Sequence, residues 1–184
     1  TLARTDIRFQ FQNLATHILA DTDPAIGWLS LLDAPLSGSF STQLSDDGSI
    51  GGLAGTLDIG AGTLDVSAGV PGLSFDGIRT YFTFDPTRNR LRFNELSVRS
   101  NRFSVNAVGH ADLVDVTLQD AVEGAPDKEL AYVGQFQLSG ILANPEGMFG
   151  EPVSFDGGAV EMRLRLDPLR VDIGQIVLRN EDLN

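Results

Sequence analysis

The stretch Leu91–Leu113, LRFNELSVRSNRFSVNAVGHADL, is the most informative about the fold, because it contains two consecutive strand patterns joined by a short turn. Its second part, Phe103–Leu113, alternates apolar or small residues with polar ones, which is the period of a strand with one buried face. In the first part the apolar positions change parity, which predicts a β-bulge at about Asn94–Glu95. With a two-residue turn at Ser100–Asn101, the stretch predicts antiparallel hairpins.

Strand and turn patterns of the same kind continue in both directions from this stretch. Glycine, proline and aspartate separate the apolar alternations, as is typical of turns between strands. The further predicted strands are Asp6–Phe11, Ser37–Ser45, Leu53–Ile59, Gly62–Val66, Phe75–Phe84, Tyr132–Leu142, Val160–Leu166 and Val171–Leu178.

Helical spacing is persuasive only near the N-terminus. Asp23 is suited to cap a helix, and Pro24 to occupy its first position, so we expect a short helix over Pro24–Leu32. We expect this helix, with Trp28, to pack over the end of the sheet. The predicted fold is therefore mainly β, a curved and open-edged antiparallel sheet of repeated hairpins, groove-like, with one short helix near the N-terminus.

An internal repeat relates Leu73–Ser100 to Val153–Asn180, about 80 residues further along. Both segments begin with an apolar residue followed by Ser-Phe-Asp-Gly, contain an Asp-Pro turn, and end in a strand that carries an arginine. A lone hairpin cannot bury its apolar face, so such units stack into a continuous sheet. We expect one repetitive β domain over residues 1–184, with units at about 36–113 and 130–184 and an N-terminal strand and helix at 1–35.

Composition excludes several classes of protein. The chain has 13 basic and 25 acidic residues and a net charge of −12, which disfavours nucleic acid as a partner. It has no cysteine, so disulfides, zinc–thiolate sites and cysteine nucleophiles are excluded. No apolar run reaches the roughly 18 residues that a spanning helix needs. Since Thr1 is not a natural start, we expect the chain to be a piece of a longer protein.

Catalytic and metal-binding patterns are weak. The two histidines, His17 and His110, accompany no nucleophile motif. Gly60–Gly62 lacks the third glycine and the following helix of a nucleotide site. Asp21–Asp23 and Asp46–Gly48 do not fit the twelve-residue calcium loop with its closing glutamate. We therefore predict a protein that is not an enzyme, with no catalytic residues, no metal and no cofactor.

Three segments of the chain resemble a known family. They are Trp28–Ile50 (WLSLLDAPLSGSFSTQLSDDGSI), Leu57–Val66 (LDIGAGTLDV) and Leu91–Leu113, quoted above. Together they are similar to the AsmA-like superfamily, and within it to the YhdP-type branch related to TamB. The resemblance covers about residues 6–113 and 130–180.

This resemblance implies a place and a role. Such proteins are anchored in the inner membrane of Gram-negative cells and extend through the periplasm as long, curved sheets around an apolar groove. They are implicated in moving phospholipid towards the outer membrane. The chain would then be a periplasmic, non-enzymatic segment of a parent protein anchored in the inner membrane, with phospholipid as its partner.

A lipid groove needs a continuous apolar surface, and the apolar positions of the alternating strands supply it. The same alternation is typical of a sheet packed shut as a core, so both interpretations stay open. Open sheet edges also permit edge-to-edge self-association, or a structural role in envelope assembly in which protein partners add a strand. The candidate groove residues are Phe82, Phe84, Leu91, Phe93, Leu96, Val98, Phe103, Val105, Val160, Met162, Leu164, Leu166, Val171, Ile173, Ile176 and Leu178.

Overall fold

A computed structural model describes residues 4–20, 29–46, 48, 50–65, 72–117, 128–144, 151–166 and 169–180. Within these ranges the chain forms twelve strands in two antiparallel sheets and one short helix, α1 (Thr16–Ala20). The predicted mainly-β class is confirmed, as are the open antiparallel sheet and the lone short helix near the N-terminus.

The larger sheet has nine strands and is not closed. Every neighbouring pair of its strands is antiparallel, and the two outermost strands are free on their outer sides within the described residues. Numbered along the chain, the strands follow the spatial order β1 (Arg4–Ala15), β3 (Pro35–Ser45), β4 (Ile50–Ile59), β7 (Gly77–Asp85), β8 (Arg90–Arg99), β9 (Phe103–Thr117), β10 (Lys128–Ala143), β11 (Val153–Leu166) and β12 (Leu169–Arg179).

A smaller sheet is formed by β2 (Leu32–Asp33), β5 (Gly62–Leu64) and β6 (Leu73–Phe75). A single 3₁₀ turn at residues 29–31 precedes β2, and the buried Thr16 hydroxyl of α1 donates a hydrogen bond to the Leu32 carbonyl oxygen. We call α1, this turn and the smaller sheet the plug.

The helix predicted over Pro24–Leu32 is placed differently. Residues 24–28, with Trp28, lie outside the described residues, while residues 29–31 form the 3₁₀ turn and Leu32 already belongs to β2. The described helix lies earlier in the chain, at Thr16–Ala20. Pairing of Leu32 with Leu64 explains the difference at the end of the predicted helix, since a strand partner distant in sequence outweighs local helical spacing.

The strand predicted over Phe75–Phe84 is divided between the two sheets. Phe75 pairs with Gly62 in the smaller sheet, and Gly77 pairs with Arg99 in the larger one. At the break, the Asp76 amide donates a 2.7 Å hydrogen bond to the Arg99 carbonyl oxygen. The chain can therefore change sheets while this backbone donor stays paired.

The bulge predicted at Asn94–Glu95 is confirmed. Tyr81 pairs with Glu95 and Phe82 with Phe93, which leaves Asn94 as the extra residue. In the second repeat, β12 has a register shift of the same kind, with Gly174 as its extra residue. The predicted turn Ser100–Asn101 is one residue longer, because β9 begins at Phe103 and Ser100 donates a hydrogen bond to the Phe103 carbonyl oxygen.

Candidate functional site

One face of the larger sheet carries all the predicted groove residues. Residues paired across an antiparallel ladder lie on the same face. The register pairs Phe82 with Phe93, Val98 with Val105, and Ile176 with Val160. Strand alternation and the two bulges bring the other candidates into the same phase, so we call this side the apolar face and the opposite side the polar face.

The plug covers the apolar face towards the β1 end of the sheet, over parts of β3, β4 and β7. One buried cluster joins Ala20, Leu29 and Phe75 of the plug to sheet residues that include Leu36 and Phe82. Leu36 is the most enclosed of these, with 1% of its surface exposed. This part of the apolar face is a closed core, as one of the two interpretations of the sequence expected.

At the other end, the apolar face is open among the described residues. On the edge strand β12, Ile173 is 58% exposed and Ile176 is 52% exposed, and Val171 and Leu178 are exposed as well. The four candidates of β11 are half-buried. The apolar face therefore changes from core under the plug to accessible surface at β12.

A line of aromatic rings crosses the apolar face. Its members are Phe11, Phe40, Phe82, Phe93 and Phe136, and successive ring centroids lie 5.5, 6.0, 6.4 and 5.5 Å apart. Distances of this size permit the stacked and tilted contacts that aromatic pairs favour. The line joins the closed part of the face to the open part.

Glycines in neighbouring strands make room for these rings. Gly55 lies between Phe40 and Phe82, and a Cβ atom built on it would be 2.7 Å from each ring. Gly109 and Gly134 leave similar space beside Phe136. Sequence reasoning left Phe11, Phe40 and Phe136 out of the site, although a glycine in the apolar phase of a strand is a signal of such close approach.

Arginines within the strands from Arg8 onward lie on the polar face. The register puts every strand arginine from Arg8 onward on that side: Arg8, Arg79, Arg90, Arg92, Arg99, Arg163, Arg165, Arg170 and Arg179. Ten of the 25 acidic residues, but none of the 13 basic ones, lie outside the described ranges. The net charge of −12 therefore does not describe the sheet itself, which carries nearly balanced charges.

A bidentate ion pair joins β8 to β9 on the polar face. Arg90 Nε and Nη2 donate hydrogen bonds of 2.6 and 2.8 Å to the two carboxylate oxygens of Asp112. These hydrogen bonds, helped by the charges of Arg90 and His110, hold the pKa of Asp112 below its ordinary value. Both partners remain partly exposed, so the pair contributes modestly to stability.

Acid is expected to remove the stabilisation that Asp112 provides. Because the folded-state pKa is lowered, the stabilisation is present above the ordinary value of 3.8 and is lost as pH falls through the lowered pKa. Asp112→Asn should therefore lower the Tm at pH 7 and change it much less at a pH well below the ordinary value of 3.8. Thermal unfolding of both proteins at the two pH values checks this, and an equal difference at both would contradict it.

The two histidines lie in separate parts of the fold. His17 lies in α1, and His110 lies on the polar face beside Arg92. Within the described ranges, no three histidine or acidic side chains come together as ligands for a metal ion. No helix in the described part of the chain is long and apolar enough to cross a membrane.

Comparisons with known proteins add no relative. No family model, curated protein or solved structure matches the chain. The geometry of the sheet and the resemblance of the three segments are therefore the basis for assigning a function.

Proposed function

We propose that the open part of the apolar face binds the acyl chains of phospholipid, in a non-enzymatic segment of a large envelope protein. The observation that carries this proposal is the change from closed core to exposed apolar surface along one continuous face. Ile173 and Ile176, more than half exposed at the end of that face, are the clearest sign of an unfilled apolar surface.

The chemistry of a sheet face suits an acyl chain. Backbone donors and acceptors inside the sheet are paired between strands, so the face itself offers apolar side chains without unmet hydrogen bonds. At about 25 cal/mol per Å² of buried apolar area, an acyl chain that buries about 200 Å² there gains about 5 kcal/mol. No described residue pairs with the outer side of β12, which leaves room for a head group to remain in water.

The resemblance of the three segments to the AsmA-like superfamily extends the proposal to the whole protein. On that basis the chain is an AsmA-like segment in the periplasm, in a parent anchored in the inner membrane, that carries phospholipid between inner and outer membrane. The open nine-stranded antiparallel sheet is compatible with such a role.

Two neighbouring substitutions on β12 test the proposal. Ile176→Asp puts a charge on the apolar face, whereas Val177→Asp puts the same charge on the polar face of the same strand, at a residue that is also exposed. After incubation with phosphatidylethanolamine–phosphatidylglycerol vesicles, we expect native mass spectrometry to show bound phospholipid on the unmodified protein. Ile176→Asp should reduce it at least fivefold, and Val177→Asp less than twofold.

Two results would contradict the lipid proposal. One is the absence of bound phospholipid on the unmodified protein under these conditions. The other is an equal loss in both variants, because that would show an effect of added charge rather than of the apolar face.

The open edges favour a second candidate function, an assembly module of the envelope. β1 and β12 are the outermost strands of the larger sheet, with lengths of 12 and 11 residues. Strands of this length expose many unpaired backbone groups, to which a partner or a second copy adds a strand. Partner capture that is unchanged by Ile176→Asp, with no bound lipid, would favour this function.

A further inference from the structure

A shallow cavity lies on the polar face, on the opposite side from the proposed lipid surface. Its volume is about 640 Å³, and residues of β8, β9, β10 and β11 line it. Small-molecule sites commonly have volumes of about 300–1,000 Å³, so this space fits a ligand of one or two rings.

A row of four polar side chains crosses this cavity. Arg92 pairs with His110, His110 with Gln135, and Gln135 with Glu161, so the four lie side by side on successive strands. At a strand spacing of about 4.8 Å, the row is roughly 14 Å long. Its order is cation, imidazole, amide and carboxylate.

Arg92 is the anion-binding end of this row. Arg90, two residues earlier, is held by both oxygens of Asp112. The Arg92 guanidinium, by contrast, forms no ion pair or hydrogen bond with any residue that the structure describes, and the side chain is exposed. A free guanidinium beside an imidazole suits a phosphate or carboxylate, which accepts hydrogen bonds from both.

The other end of the row is suited to hydroxyl groups. Gln135 Nε2 donates a 3.0 Å hydrogen bond to Glu161 Oε1, which orients the amide. The amide oxygen and the second carboxylate oxygen remain to accept hydrogen bonds from hydroxyls. Val108 and Ala159, which also line the cavity, offer a small apolar surface for the C–H groups of a sugar ring.

We propose that this cavity binds an anionic saccharide, with its phosphate or carboxylate on Arg92 and His110 and its hydroxyls on Gln135 and Glu161. This inference is independent of the lipid proposal, because the four side chains proposed to contact the sugar lie on the opposite face of the sheet. Sugar phosphates and uronic acids present the same chemistry, and the experiment separates them.

Nuclear magnetic resonance titration of the ¹⁵N-labelled chain tests the site. Glucose 6-phosphate and glucuronic acid are added separately, with glucose and inorganic phosphate as the matching partial ligands. We expect at least one acidic sugar to shift the backbone amide signals of Arg92, His110 and Gln135. Glucose and phosphate alone should bind at least tenfold more weakly than that sugar.

A matched pair of arginine variants locates the anion contact. Arg92→Gln should raise the Kd of the acidic sugar at least tenfold. Arg163→Gln removes an exposed arginine from the same face but outside the cavity, and should change the Kd less than twofold. A well-dispersed spectrum of each variant shows that it is folded.

Three outcomes would overturn the proposal. The first is that neither acidic sugar shifts these signals. The second is that inorganic phosphate binds as tightly as the sugar, since the hydroxyl contacts would then contribute nothing. The third is an equal loss of affinity in both arginine variants, which would indicate attraction by the general charge of the polar face.

Discussion

Replacement of Phe82 by alanine should destabilise the protein by about 3–5 kcal/mol, the usual cost of removing a buried phenylalanine. Phe82 is 8% exposed and belongs to the buried cluster that joins the plug to the larger sheet. Its ring also lies at the middle of the aromatic line, 6.0 Å from the ring of Phe40 and 6.4 Å from that of Phe93. The substitution therefore leaves a cavity where sheet, plug and aromatic line meet.

Chemical denaturation, followed by circular dichroism, measures this effect. Phe9→Ala is the matched control, because Phe9 lies on the same face but is 60% exposed, and its loss should cost less than about 1 kcal/mol. Phe82→Leu should recover part of the stability because it fills part of the cavity. Similar losses for Phe82→Ala and Phe9→Ala would show that the plug does not close the core.

A single methyl group at position 109 should have the second-largest effect, a destabilisation of about 3 kcal/mol, at the upper end of the usual cost of overpacking. A Cβ atom on Gly109 would meet the Gln135 carbonyl oxygen and would lie 2.9 Å from the Phe136 Cα atom. These are backbone atoms of β10, so relief requires the two strands to separate. That movement also shifts the Phe136 ring from its place beside Phe93.

Gly174→Ala is the control for this prediction. Gly174 is also a strand glycine, but the nearest atom to an added Cβ atom would be 3.8 Å away, which is an ordinary contact. We expect Gly109→Ala to shift the denaturation midpoint strongly and Gly174→Ala to shift it little. If both variants unfold at the same denaturant concentration, close approach of β9 and β10 does not limit residue size at position 109.

Local features of the fold were predictable from the sequence. The alternation in Phe103–Leu113 predicts a strand within β9, and the parity change at Asn94–Glu95 predicts the bulge that the register shows. Both features depend on the two-residue period of an extended backbone, which any short window of sequence reveals. For the same reason, the groove candidates could be assigned to one face before any strand partner was known.

Features that depend on distant partners were not predictable. Residues Phe75 and Gly77 belong to different sheets, although they are separated only by Asp76 and read as one strand. The end of the predicted helix was wrong because Leu32 finds a strand partner in Leu64, 32 residues later. The aromatic line could not be predicted because its rings contact one another across strands. The glycines beside the rings can be recognised as the residues that leave space for them only when the strand register is known.

Alternation along the chain was enough to predict most of the strands, the bulge at Asn94 and the separation of apolar from charged side chains between two faces. The folded structure was needed to show where the apolar face is covered, with Leu36 enclosed beneath the plug and Ile176 exposed at the open edge. It also decided that Arg92, His110, Gln135 and Glu161 form one row. Alternation is a property of the local backbone. Coverage of the apolar face and the side-by-side placement of residues on neighbouring strands depend instead on which strands pair and on what packs against them.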